Sequence, residues 1–141
     1  MKSNFVYSYK KKFHFTKNID IFISHAYNGI TTKKQEALPM LVNMKTILDV
    51  AKANNFAVPA FNTSSNMILT GVMKESIAQN APVIIAIHPD ELSFVQDSFV
   101  KAVIDEANHA PIPVCIHLDH GGSFEDCVKA ISLGFTSVMI D

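Results

Sequence analysis

The stretch Pro113-Val114-Cys115-Ile116-His117-Leu118-Asp119-His120-Gly121-Gly122 starts as an apolar, β-prone run and ends in two imidazoles, a carboxylate and a glycine pair. A continuous apolar run reads as a strand buried on both faces, the kind found in parallel sheets. Such a strand has no structural use for so many polar groups, because each costs kcal/mol to bury without a partner. The polar end therefore reads as a strand end that opens into a site, where a metal and a proton-transfer group use those side chains.

Outward from this stretch, strand and helix signals alternate. Short apolar runs predict strands over 57–61, 83–88, 113–118 and 136–140, and apolar residues at helical spacing predict helices over 65–79, 93–108 and 123–133. A further helical pattern covers Met44 to Ala53. Ser64 or Ser65 opens one helix, Ser123 is placed to cap another, and Gly134 closes it. Pro59 argues against full ladder pairing in the first strand. Alternation of this kind means a parallel sheet with helical crossovers, and both the doubly wound sheet and the (β/α)8 barrel fit. Both bind ligands at the carboxyl ends of their strands. The polar residues fall there: Asn62 after the first strand, His88 and Asp90 after the second, Asp119 and His120 after the third, Asp141 after the fourth.

The 141 residues suffice for one domain with a core, and 48% hydrophobic with 18% charged residues fits a soluble globular chain. Charge is unevenly spread. Residues 1–39 carry seven Lys against Asp20 and Glu36, or +5, and residues 40–141 carry five Lys against eleven acids, or −6. There is no Arg, and an acidic body is a poor partner for nucleic acid. Cys115 and Cys127 sit in apolar patterns and read as buried free thiols. No run reaches the ~18 apolar residues that span a bilayer, and no signal-peptide pattern is evident. Residues 1–39, with Phe5, Tyr7, Tyr9, Phe13 and Phe15 among the lysines, read as a poorly ordered extension, and Met40 and Met44 both offer alternative starts.

Each site residue has a plainer reading beside the chemical one. His120 before a glycine pair suits metal ligation but also an ordinary satisfied surface role. Asp119 suits proton transfer or helix capping, with Ser123 better placed for the cap. His117, two residues earlier on the same strand face, is expected to orient Asp119 by a hydrogen bond. His109 before Pro111 suits a helix carboxyl end. No glycine-rich nucleotide loop and no serine nucleophile elbow occurs.

Four blocks in order, Ala57-Val58-Pro59-Ala60-Phe61-Asn62, Ala81-Pro82-Val83-Ile84-Ile85, His117-Leu118-Asp119-His120-Gly121 and Ser137-Val138-Met139-Ile140-Asp141, resemble the amino-terminal part of the class II, zinc-dependent fructose- and tagatose-bisphosphate aldolases. The resemblance covers residues 40–141. It implies the amino-terminal half of a (β/α)8 barrel, a fold of roughly 250 residues when whole. By that resemblance Asp119 matches the catalytic proton donor, His120 the first of three zinc-binding histidines, and Asp141 a carboxylate that binds the metal in its second position. Asn62 matches an asparagine near the substrate. His88 departs from the pattern, since many members have Ser or Thr there near a substrate phosphate.

The resemblance implies reversible cleavage of fructose- or tagatose-1,6-bisphosphate to dihydroxyacetone phosphate and glyceraldehyde 3-phosphate. It also implies a Zn2+ cofactor, a phosphosugar substrate, a homo-oligomeric intact family and a cytoplasmic location, with neither nucleic acid nor membrane as partner. The remaining zinc histidines fall downstream of the matched part. A catalytically inactive truncated fragment, poorly stable without a partner chain, is the competing expectation. A repurposed binding module using the basic arm is a third.

Overall fold

The computed structural model describes residues 40–141. The basic aromatic stretch 1–39, including His14 and His25, lies outside the described residues. Within them the order is α1 Met44–Ala53, β1 Ala60–Asn62, α2 Asn66–Ala78, β2 Val83–Ile87, α3 Pro89–His109, β3 Val114–Gly121, α4 Phe124–Leu133 and β4 Ser137–Ile140. Local chemistry fixes the helix ends. Asn43, Ser65 and Ser123 each accept a hydrogen bond from a backbone N–H of the first turn they cap. Gly134 closes α4 in the left-handed region at φ 101°, where a side chain would be strained.

All four strands are parallel and lie in the order β1-β2-β3-β4. A doubly wound sheet reverses its order at a switch point, and none occurs among the described strands. Sequential parallel order is that of successive barrel strands.

The two faces differ. Val83, Ile85 and Ile87 of β2 and Val114, Ile116 and Leu118 of β3 pack with Leu69 and Met73 of α2, Phe99, Val100 and Val103 of α3, and Cys127 and Ala130 of α4. That layer is the main core. On the other face, Ile84 and Cys115 pack on Ile47 of α1. Leu41 forms a β-bridge to Val114, and Val42 N–H donates to the Val114 carbonyl at 2.8 Å. The incoming chain is thus tied at the start of β3, and α1 covers the amino-terminal end of this face.

Three spans differ from the sequence expectation. β1 begins at Ala60 rather than 57, because Pro59 has no N–H to donate and only its carbonyl pairs, accepting from Ile84 N–H at 3.0 Å. α3 begins at Pro89 rather than 93, opened by a capping box at His88 with proline in the first turn. It is also broken at Gln96, whose φ of 66° and ψ of 169° interrupt the helix. β3 runs on to Gly121 through an irregular step. His109 ends α3, its Nδ1 bonded to the Asp105 carbonyl at 2.8 Å, the structural role expected for it. Cys115 and Cys127 are buried and unpaired, and burial pushes the Cys115 thiol up.

Candidate active site

Register assembles the site on the face that α1 leaves open. Asn62 pairs with Ala86, Ala86 with His117, and His117 with Ser137, one residue per strand in a single row. Paired residues of a sheet share a face. The row below is Ala60, Ile84 and Cys115, and α1 packs on its Ile84 and Cys115. α1 thus covers Ile84 and Cys115 of this face, and His88, Asp119, His120 and Asp141 follow the row at its carboxyl end.

A β-bulge re-aims the end of β3. Leu118 pairs with Val138 and Gly121 with Ile140, so Asp119 and His120 together stand opposite the single residue Met139. His120 occupies the left-handed region at φ 57°, an uncommon conformation for a residue with a side chain. Backbone held this way clusters at functional sites. Gly121 makes the bulge possible. A Cβ there would lie 2.5 Å from the Met139 carbonyl oxygen, 3.0 Å from Leu118 Cδ2 and 3.1 Å from Cys127 Sγ.

His120 Nδ1 donates to Asp141 Oδ2 at 2.8 Å, joining the ends of β3 and β4. That hydrogen bond, with the charges of Asp141 and Asp119, raises the His120 pKa. His117 moves the other way: burial disfavours its charged form, and Asp119 opposes this. Its Nδ1 bonds Ser137 Oγ at 2.8 Å. The expected hydrogen bond from His117 to Asp119 is therefore not made; the ring is used across the sheet. Asp119 is half-buried between the two imidazoles in sequence. Asn62 ends β1, exposed.

His88 stands at the mouth and caps α3. Its Nδ1 accepts from Asp90 N–H at 3.2 Å, and its own N–H donates to Glu91 Oε2 at 3.1 Å. Its ring centroid is 6.0 Å from that of His120. The sequence reading missed Ser137 as the partner of His117 and His88 as a cap. The second was legible in His88-Pro89-Asp90-Glu91, with proline and two acids in a first turn.

For a metal, the donor chemistry fits at one corner. A carboxylate on Nδ1 fixes the ring and leaves the Nε2 lone pair for a cation. Among the described residues, however, no group of three His, Cys, Asp or Glu side chains is placed to hold an ion. Those residues offer at most one corner of a ligand set.

A parallel sheet in sequential order has the strand arrangement of a barrel, and comparison with known proteins gives the family. Residues 42–141 match the fructose-bisphosphate aldolase class-II family, and the chain belongs to it. The fructose-bisphosphate aldolase of Staphylococcus aureus is 40% identical over 106 residues, covering 72% of this chain and 37% of that protein. That of Thermus caldophilus is 37% identical over 102 residues, covering 72% of this chain and 33% of its own. In structure, the chain is similar to the YdjI aldolase of Escherichia coli K12, with a TM-score of 0.69 and 27% identity over 72% of this chain and 39% of the other. The chain thus spans about a third of the length of the curated relatives it matches. Its fold is the amino-terminal half of a (β/α)8 barrel. Among the described residues no helix is long and apolar enough to cross a membrane.

Proposed function

We propose that this chain is the amino-terminal part of a metal-dependent ketose-bisphosphate aldolase. Its reaction is the reversible cleavage of fructose- or tagatose-1,6-bisphosphate to dihydroxyacetone phosphate and glyceraldehyde 3-phosphate. The observation that carries the reading is His120, held in a strained backbone conformation with Nδ1 tied to Asp141, next to Asp119 at the open end of the sheet.

Asp119 is the proton-transfer residue. In cleavage it takes the proton from the hydroxyl beside the scissile carbon–carbon bond, and in condensation it returns it, a role that contributes ~10²–10⁴-fold. His120 is a zinc ligand through Nε2, and Asp141 orients that ring through Nδ1 and answers a second metal position. Zinc, when bound with ligands from outside the described residues, supplies Lewis-acid stabilisation of the oxyanion on the dihydroxyacetone phosphate half. Asn62, in the row below the mouth, and His88, at its rim, contact the phosphosugar. The intact enzyme is cytoplasmic and homo-oligomeric, and residues 1–39 are an extension that its chemistry does not need.

The test uses Asp119→Asn in a protein carrying the whole barrel. Cleavage, followed by triose-phosphate release, drops at least about 100-fold while bound zinc is unchanged. Wild-type turnover in the variant would remove Asp119 from the reaction. The second reading, that the 141-residue chain alone is inactive, is favoured by the incomplete ligand set among the described residues. Stoichiometric zinc with turnover in that chain alone would overturn it.

A further inference from the structure

We propose that Cys127 is a positioning residue for the site, clamping from the core side the β3 bulge that presents Asp119 and His120. The inference rests on the aldolase reading above and names a residue that acts on its chemistry without touching substrate.

The bulge is held from two directions. At the mouth the His120–Asp141 hydrogen bond joins the ends of β3 and β4, and Asp141 N–H donates to the Gly121 carbonyl at 3.3 Å. From the core, Cys127 Sγ–H donates to the Met139 carbonyl at 3.8 Å. A thiol is a weak donor, but this one is placed where it counts. Met139 is the single residue that faces both Asp119 and His120 across the bulge, so the thiol holds the strand against which both are set.

Shape gives the same answer. Gly121 lacks a side chain, and the space one would take is bounded by the Met139 carbonyl oxygen at 2.5 Å, Leu118 Cδ2 at 3.0 Å and Cys127 Sγ at 3.1 Å. The sulfur thus backs the gap that glycine leaves. Its own position is set by the chain path. Only Gly122 and Ser123 lie between the bulge and α4. Ser123 Oγ accepts from Asp126 N–H at 3.1 Å, and the Ser123 carbonyl accepts from Cys127 N–H at 3.3 Å. The first turn of α4 therefore brings Cys127 back onto the bulge from which the helix springs. His120 sits at φ 57°, and a conformation of that kind persists only where its surroundings over-determine it. Alanine at 127 would keep the helix but leave Gly121 unbacked and the Met139 carbonyl without this donor.

The test reads the backbone first. In the 141-residue chain, labelled with 13C and 15N, the one-bond Cα–Hα coupling of His120 reports its positive φ. Asn55 at φ 55° and Asn80 at φ 49° are references away from the bulge. Cys127→Ala is expected to move the His120 coupling towards that of extended strand and to leave both references in place. Cys127→Ser, which keeps a donor, is expected to restore the parent coupling. In a protein carrying the whole barrel, Cys127→Ala should lower kcat about tenfold with KM held, a fraction of the roughly 100-fold that about 1 Å of misplacement costs. Serine should recover most of that loss. Cys127→Val, which keeps the bulk and removes the donor, replaces alanine if that variant does not fold. An unchanged His120 coupling, equal shifts at Asn55 and Asn80, serine no better than alanine, or a parental kcat in the alanine variant each overturns the proposal. Full turnover in Asp119→Asn would instead remove the aldolase reading and leave the clamp, which the couplings measure, standing.

Discussion

His117 and His120 stand on one strand, yet their surroundings push them in opposite directions. Burial holds His117 below the ordinary histidine value, and the Asp141 hydrogen bond holds His120 above it. In a chelator-treated sample, proton NMR titration should place the two on either side of ~6.5. Asp141→Asn should bring His120 back towards that value and leave His117 in place. Equal values in the parent would contradict the geometry. The stability consequences are opposite in sign. For His117 the unfolded chain binds the proton more readily, so its contribution is complete above ~6.5 and is lost as pH falls through the lower folded value. For His120 the contribution is complete below ~6.5 and is lost as pH rises through the higher folded value. His120 is exposed, so solvent screening weakens its contribution. Replacing His117 by Asn should make the melting midpoint fall less between about pH 7.5 and pH 5.5 than in the parent. Gly121 is a second residue-scale case. Its would-be Cβ meets backbone at 2.5 Å. Gly121→Ala should therefore cost about 1–3 kcal/mol in denaturant unfolding.

At the scale of elements, α3 carries a conflict between its local sequence and its backbone. Gln96 lies at φ 66° and ψ 169°, a region populated almost entirely by glycine. Holding another residue there costs about 1–3 kcal/mol, whereas glycine adds only about 0.5–1 kcal/mol of chain entropy. Strain relief is the larger effect. Gln96→Gly should stabilise the chain by about 1 kcal/mol, read as a higher denaturant midpoint. A lower midpoint would mean that the break is not strained. The break itself was invisible in the sequence, because Val95, Phe99, Val100 and Val103 keep a helical period across it. The capping box before it was visible as His88-Pro89-Asp90-Glu91 but was outweighed by the apolar period that starts later.

At the scale of the whole molecule, β1 and β4 each have a free edge among the described residues. Apolar side chains lie beside both. Phe61 is exposed at one, and Val138 and Ile140 at the other, with Phe124, Val128 and Ile131 presented by α4. Unpaired strand edges flanked by apolar surface promote association. Sedimentation of the 141-residue chain should show concentration-dependent self-association, and supplying the remaining barrel units in trans should suppress it. A monodisperse monomer at high concentration would refute this.

The sequence determined the order of the elements, because apolar runs and helical spacing follow directly from which faces must leave water. It also placed the polar residues at strand ends, since no buried strand tolerates them unpaired. Periodicity left a doubly wound sheet and barrel order both open, and the resemblance to the class II aldolases pointed to the barrel; the sequential strand order bears that out, because strand neighbours depend on non-local pairing that periodicity does not encode. Register then decided which groups meet. It gave His117 to Ser137 instead of Asp119, and His120 to Asp141 across a bulge. A one-residue slip would have turned the same side chains to the opposite face.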